Sequence, residues 1–440
     1  MTHSPRERQE PSLPRIVVVG GGVAGLELAT ALGRQARRGG RFGVTLVDAE
    51  SSHIWKPMLH TIAAGTRDVY QQQVAYAAQA QRAGFAFQPG AMSALHASAR
   101  EIEIAPLLTP DGRLILKRRR IGYDALVMAV GSEANEFGTP GVRALCYRID
   151  SRREAESFNL EVRIRLLQCL AESTELPIAI VGGGATGVEL AAELVQMAQE
   201  AGTYGAPALA SRMRITLVES GPRLLAAFPD AVAEGARKRL ESLGVRVRVG
   251  ERVTSVTEDG LVLAGGETVP GAIRVWAAGV KAPDFLGRFD GFEKNSSHQL
   301  RVTPGLQTVS DPAVFAIGDC ANLQLPGMAR ALPATAQVAH QQALHLARHL
   351  PAWLMQGTEM PAFGYRNAGG LVSLARFDAY GHLEQHGLIA GGSFRGWAAQ
   401  AGHALLYRAH QSRLHGFWIG GLMWLVDRIN GRLRPRIRLD

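Results

Sequence analysis

Six glycines in two groups are the residues of this chain best placed to hold phosphate. Gly20, Gly22 and Gly25 lie in PRIVVVGGGVAGLELATAL (Pro14 to Leu32), and Gly182, Gly184 and Gly187 lie in PIAIVGGGATGVELAAEL (Pro177 to Leu194). In each, a β-branched run ends in Gly-x-Gly-x-x-Gly and continues into an Ala/Leu/Glu-rich helical segment. That is the strand, turn, helix order of a dinucleotide-binding unit. Its glycines let the backbone approach a pyrophosphate, and its helix N-terminus offers free N–H groups. One such triplet is a weak signal; two, a domain's length apart, predict two dinucleotide sites.

An acid follows each triplet at a strand end. FGVTLVD ends in Asp48 and RITLVE ends in Glu219, the position from which a carboxylate accepts hydrogen bonds from ribose hydroxyls. Glu219 comes 32 residues after Gly187, later than the usual spacing of about 20, and the helix extension MAQEAGTYGAPALASR accounts for the excess. A carboxylate there favours the free 2′-OH of NADH over the 2′-phosphate of NADPH, although Arg223, four residues on, pulls the other way. Further along, Val314 to Ile317 delivers Gly318-Asp319, an arrangement by which flavoproteins bring an acid to the ribityl hydroxyls; a capping Asp is the plainer alternative. In YDALVMAVGS, Gly131 permits close approach of a flat ligand or serves only a turn. Gln337 and Gln341 share one helical face and can offer amides to a carbonyl-bearing ligand or to solvent.

The elements that must position these residues read as two α/β units. Strand runs are expected at the start of each glycine motif, at Phe42 to Asp48, around Val127, at Arg214 to Glu219 and at Val275 to Val280, the Val127 and Val275 runs as crossover strands. A charged helical stretch joins the units between Gly138 and Leu176, and Val245 to Val249 and Thr254 to Val269 alternate as a meander would. Gly364 to Ala375 suggests a strand hairpin, and Trp397 to Asp440 suggests helices with breaks.

Composition narrows the function. The 440 residues are 46% apolar, enough for two or three domains with ordinary cores. Cys146, Cys169 and Cys320 form no close pair, which argues against a disulfide framework, a metal or iron–sulfur centre and a redox dithiol. The net charge is +9, and eight arginines against two acids fall between Phe394 and Asp440, interleaved with aromatics. No nucleic-acid-binding motif accompanies them, so nucleic acid is the poorer reading. Polar residues 1–12 contain no apolar h-region and so suggest no secretory signal. The longest apolar run, Gly416 to Val426, has eleven residues, short of the ~20 that span a bilayer. Flanked by Arg413 and Arg428, it fits a helix lying in the membrane interface; packing on the protein's own core or in a dimer interface is the alternative.

Taken in order, RIVVVGGGVAGLE, HIWKPMLHTIAAG, AVGSEANEFGTPGV, IAIVGGGATGVELAAEL, ITLVESGPRLL, VWAAGVKAPDFL, LQTVSDPAVFAIGDCA, ATAQVAHQQA and the tail from LYRAHQSRLHGFWIGGLMWLVDRING onward resemble the type II NADH:quinone oxidoreductases, closest to the bacterial ubiquinone-reducing branch. The resemblance implies two Rossmann-like domains: FAD bound non-covalently by residues 13–137 and 276–355, NADH as substrate on 138–275, and a membrane-anchoring region at 356–440. Gly20, Gly22, Gly25, Asp48, Gly131, Gly318 and Asp319 would hold FAD; Gly182, Gly184, Gly187 and Glu219 would hold NADH. Glu189 matches a carboxylate directed toward flavin and nicotinamide, and Gln337 and Gln341 match an A-Q-x-A-x-Q element at the junction of flavin and quinone pocket.

The activity implied is a non-pumping respiratory transfer from NADH through FAD to a membrane quinone. The implied place is the cytoplasmic face of a bacterial inner membrane, with a homodimer left open. His60-Thr61 and Asn367 depart from the relatives' usual residues. The rival readings are a soluble or sensor-type NADH:acceptor reductase and a sulfide:quinone oxidoreductase relative lacking the cysteines.

Overall fold

A computed structural model describes residues 13–67, 73–203, 206, 208–384 and 392–433. The N-terminal dozen and Arg434, Arg436 and Arg438 of the basic tail lie outside the described residues. The chain forms two compact units. One takes residues up to 53, 74–131 and 282–365; the other takes 54–73, 132–281 and everything from 366 on. Most of the expected C-terminal region is thus grouped with the second glycine motif. The physical reason is a shared core, in which Leu59, Ile62, Val372, Leu374 and Tyr380 pack with Val188, Leu190 and Leu194.

In the first unit, five parallel strands lie in the order Val314–Ala316, Ala125–Met128, Arg15–Val19, Gly43–Asp48, Ala86–Pro89. Ile16 to Val19 and Ala125 to Met128 are buried on both faces, which explains their unbroken apolar runs. Successive strands are added to one side of Arg15–Val19 and then to the other, so the crevice at its carboxyl end is a topological switch point. Helix Val23–Arg37 leaves that end and packs on helix Ala336–Gln356, whose N-terminus is capped by the Thr335 side chain accepting from the Val338 N–H.

The second unit repeats the plan with Arg246–Val249, Met213–Glu219, Leu176–Val181 and Ile273–Trp276, all parallel. Helix Ala185–Thr203 follows its central strand. The meander is realised as antiparallel strands Val253–Val256, Gly260–Leu263 and Thr268–Pro270. The runs around Val127 and Val275, expected as crossover strands, instead sit inside the two parallel sheets. An apolar run buried on both faces carries no alternation to tell the two roles apart. The hairpin also begins later than expected: Gly370–Leu374 pairs with Asp378–Leu383, and a third strand, Gly392–Arg395, completes it.

Helices Trp397–His415 and Phe417–Leu433 end the described chain. Arg408 bridges them by an ion pair to Asp427 at 2.7 Å. Tyr407, His410 and Leu414 are buried, with Tyr407 and His410 against the Trp55 ring, whereas Trp397, Phe417, Trp418, Leu422 and Trp424 are exposed.

Candidate functional site

The two glycine loops share their backbone contacts at the three motif glycines. Gly20 (φ +99°) and Gly182 (φ +111°) occupy backbone conformations that L side chains rarely adopt, and a Cβ on either would stand 2.4 Å from the carbonyl oxygen of Ala129 or Ala277. A Cβ on Gly25 would meet the Gly20 oxygen at 1.8 Å, and one on Gly187 would meet the Gly182 oxygen at 2.0 Å, so these glycines let helix and loop touch. Gly22 and Gly184 differ. A Cβ on either would enter space with no atom within 4 Å. The first helix begins there with Gly22 as its cap, no side-chain capping bond and no acid in its first turn, and the second likewise has no acid in its first turn. Two helix N-termini therefore open onto a cradle suited to an anion.

Each strand-end acid is tied to its own loop. Asp48 accepts from the Gly21 N–H (2.5 Å) and the Glu50 N–H (2.7 Å), and burial pushes its carboxyl pKa up, partly offset by those two bonds. Glu219 accepts from Gly183 and Gly221 N–H groups, both at 2.6 Å. Ionised carboxylates have about four acceptor sites, so both retain capacity for hydroxyl donors. Arg223 is engaged by its own turn, donating to the Phe228 and Ala226 carbonyls and lying 3.4 Å from Asp230.

Also in the first unit, Gly131 (φ +71°) follows its strand with open space where a Cβ would be. Gly318-Asp319 form one turn of 3-10 helix at the end of Val314–Ala316. The structure thus brings Gly20 to Gly25, Asp48, Gly131 and Gly318-Asp319 to the carboxyl ends of adjacent strands. Gln337 and Gln341 are half-buried on the helix that packs there, and Gln337 accepts from the Tyr365 hydroxyl at 3.3 Å. Sequence reasoning missed Gln342, which is buried and accepts from the Gly318 N–H at 2.7 Å. It also missed His53 and Tyr76, which both bond the Gly21 carbonyl at 2.9 Å.

In the second unit Glu189 is the centre of a buried polar cluster. One carboxyl oxygen accepts from the Ser373 N–H at 2.9 Å and lies 3.9 Å from His403 Nε2; the other lies 3.6 Å from His60 Nδ1. One helical turn further, Glu193 accepts from the Thr66 hydroxyl at 2.5 Å. Burial pushes the Glu189 pKa up to about 8, with the Ser373 bond opposing and Glu193 adding to it. Burial, with His403 and Arg67 as neighbouring cations when charged, takes His60 down to about 3; burial and Arg67 take His403 to about 4. At neutral pH Glu189 therefore keeps its proton, and His60 and His403 are neutral. His403 comes from the tail helix and carries no motif, so only the fold could reveal it. Glu27, which stands at the same offset after Gly25 as Glu189 after Gly187, was legible as a repeat; it is buried against His340 in a short hydrogen bond.

Comparison with known proteins agrees with this geometry. Residues 14–343 match the pyridine nucleotide-disulphide oxidoreductase family. A type II NADH:quinone oxidoreductase of Haemophilus influenzae is 37% identical over 97% of this chain and all of its own length. One of Mycobacterium tuberculosis is 26% identical over 97% of this chain and 89% of its own. Among solved structures, NDH2 of Plasmodium falciparum in complex with NADH superposes with a TM-score of 0.82 at 17% identity, covering 97% of this chain and 100% of that one. The sulfide:quinone oxidoreductase of Aquifex aeolicus shares the fold at 0.71 and 16%, covering 97% and 96%. On the strength of the family match and of the full-length Haemophilus relative, the chain is an oxidoreductase of the pyridine nucleotide-disulphide oxidoreductase family and belongs to the type II NADH:quinone oxidoreductases.

Proposed function

We propose that the first unit binds FAD through Gly20, Gly22, Gly25, Asp48, Gly131, Gly318 and Asp319, and that the second binds NADH through Gly182, Gly184, Gly187 and Glu219. The observation that supports two dinucleotide sites is the pair of open cradles at Gly22 and Gly184, each in front of a helix with no acid in its first turn and beside a loop-bound acid; the Gly318-Asp319 turn at the end of a strand of the first unit's sheet favours FAD there. Bound FAD supplies a carrier that accepts a hydride from NADH and gives two electrons to a quinone.

The chain's own residues bind and select. The Gly22 and Gly184 loops hold pyrophosphates with backbone N–H groups, and Asp48 and Glu219 accept from ribose hydroxyls. Glu219 repels a 2′-phosphate, and Arg223, held by its own turn, does not compensate. Gln342 fixes the Gly318 turn, which sets where Asp319 presents its carboxylate. Thiol chemistry of the sulfide:quinone kind is disfavoured here. Burial pushes the Cys146 and Cys320 thiols up to about 12, far from the reactive thiolate state.

The quinone comes from a lipid surface on which the C-terminal helices rest. Trp397, Phe417, Trp418, Leu422, Trp424 and Ile429 are exposed, and Arg428 lies over the Trp424 ring. No helix among the described residues is long and apolar enough to cross a membrane. Aromatics of this kind insert at the headgroup level, and each nearby Arg adds about 1 kcal/mol on an anionic surface.

The test is anaerobic rapid mixing of purified protein with NADH and then with ubiquinone or menaquinone analogues. We expect flavin bleaching by NADH and return of its colour with a quinone. Bleaching that no quinone reverses would sink the enzyme assignment in favour of a redox sensor. In parallel, the full chain should float with anionic vesicles and a Trp418→Glu/Leu422→Glu variant should not; undiminished flotation would place the lipid contact elsewhere.

A further inference from the structure

The basic run Lys117 to Arg120 has the composition of a solvated surface stretch, and two of its members are placed as such. Arg118 and Arg120 face solvent and lie 3.3 and 3.4 Å from Glu103 and Glu101. Arg119 stands between them, and alternate side chains of a strand point to opposite faces. The antiparallel register sets Arg119 opposite Ile104 and Ile121 opposite Ile102, and both Ile102 and Ile104 are fully buried. One guanidinium of the run is thereby turned inward, onto an apolar face of the first unit.

Its head reaches the carboxyl end of the parallel sheet. Nη2 donates to the Pro89 carbonyl, while Nε and Nη1 are buried and have no hydrogen-bond partner among the described residues. Gly90 lets the head come this close: a Cβ there would lie 2.6 Å from Ile104 Cγ2 and 3.5 Å from Arg119 Nη2. Buried donors of a cation cost more to leave unpaired than neutral ones, so these two call for an acceptor that a ligand brings.

Position narrows what that ligand is. Pro89 ends strand Ala86–Pro89 in register with Asp48, and the Gly90 N–H donates to the Asp48 carbonyl at 2.8 Å. Three neighbouring strands thus end side by side in three different groups. Arg15–Val19 ends at the glycine loop, Gly43–Asp48 at the carboxylate, and Ala86–Pro89 at the Arg119 head. Two strand spacings, about 10 Å, separate the first from the third. A dinucleotide with its pyrophosphate on the loop and its ribose on the acid places its base at that third position. Adenine is uncharged and carries acceptor nitrogens on its ring, so the unpaired donors can give it a charge-assisted hydrogen bond.

We propose that Arg119 is the adenine-recognising residue of the first unit, donating from Nε or Nη1 to a ring nitrogen of the FAD adenine. The proposal rests on the FAD reading above. The bond to Pro89 fixes the direction of the head and leaves the other N–H groups for the base. Arg118 and Arg120, held by glutamates on the other face, take no part. A lysine cannot replace Arg119, because an ammonium lacks the planar fork that serves the carbonyl and the base together.

The test uses the full-length protein purified with its flavin. Loss of FAD on dilution, read as the rise of flavin fluorescence, should be about 10- to 100-fold faster in Arg119→Met and Arg119→Lys, the scale of a hydrogen bond to a charged group. Arg120→Met should stay within about 2-fold of the parent, as a solvent-facing pair contributes little. Exchange of the bound flavin against FMN, which has no adenine, separates recognition from packing. Arg119→Met should narrow the preference for FAD over FMN by about 10- to 100-fold, with FMN affinity held within about 2-fold. Equal weakening of FAD and FMN, or FAD loss at the parent rate, would overturn the assignment. If Arg119→Met does not fold, Arg119→Lys decides by the same ratio. Unmutated protein that purifies with FMN or with no flavin is a different result, which removes the FAD reading itself.

Discussion

The helix after the first glycine loop and the helix after the second carry a glutamate at the same place, and the two carboxylates have opposite surroundings. Glu27 is held by His340 in a tight bond between two helices of one unit. Glu189 has no comparably close ring. Its two histidines stand 3.6 and 3.9 Å away, and only a backbone N–H binds it directly. The loops that precede them exclude a side chain by the same backbone contacts at Gly20 and Gly25 as at Gly182 and Gly187, yet the position two residues on has become a structural brace in one copy and a loosely held, protonated carboxyl in the other. A duplicated fold thus preserves what backbone contact demands and lets side-chain neighbours decide chemistry.

The largest expected effects test the shared part. Gly25→Ala and Gly187→Ala place a Cβ within 2.0 Å of a backbone oxygen that cannot move away, so each should cost more than about 4 kcal/mol and leave little folded protein. Gly22→Ala and Gly184→Ala add the same methyl to open space and should cost under about 1 kcal/mol, while FAD retention and NADH affinity fall respectively. Denaturation midpoints and flavin content measure all four; equal stability of Gly25→Ala and Gly22→Ala would break the likeness of the loops.

The next effect separates the glutamates. Glu189 keeps its proton to about 8 when folded and loses it near 4.5 when unfolded. The folded state therefore binds more protons between those values, and stability falls as pH rises through that window. Glu189→Gln removes the penalty and should gain about 2–4 kcal/mol on the parent at alkaline relative to acidic pH. His60, depressed to about 3 from 6.5, acts with the opposite sign: the unfolded chain binds its proton first, so stability is lost as pH falls from 6.5 toward 3, and His60→Gln should blunt that acid loss. Glu27→Gln should instead cost about 1–3 kcal/mol by loosening a buried pair. Urea midpoints across pH check this, and a Glu189→Gln gain that is flat with pH would show that the carboxyl is ionised after all.

The smallest effect compares the strand-end acids. Glu219→Gln should narrow the preference for NADH over NADPH by about tenfold, one step of 1.4 kcal/mol, without changing flavin content. Asp48→Asn should weaken flavin retention without changing nucleotide preference. Coenzyme ratios and flavin absorbance read the two separately, and crossed effects would reverse the assignment of the units.

Much of this was legible beforehand because the dinucleotide loops are local. Strand, glycines and helix are contiguous, and the steric rule that selects glycine acts over five residues. The strand-end acids follow from the same logic, since a parallel strand must deliver its last residue beside the loop. What stayed hidden was non-local. Nothing near His403 in the chain points to Glu189, more than two hundred positions away, and nothing in the sequence marked Gln342 as the amide that binds the Gly318 turn.

The sequence by itself determined two dinucleotide folds, their loops, their acids and an aromatic, basic tail, because backbone sterics and strand alternation are written within short windows. Tertiary structure alone decided that residues 54–65 and the hairpin share a core with the second glycine motif's helix, that the tail's first helix packs on that hairpin, and that this packing sets His60 and His403 on either side of one buried carboxyl. Burial is a property of the whole fold. So is the free energy that keeps a proton on Glu189 and off its histidines, and no window of the sequence contains it.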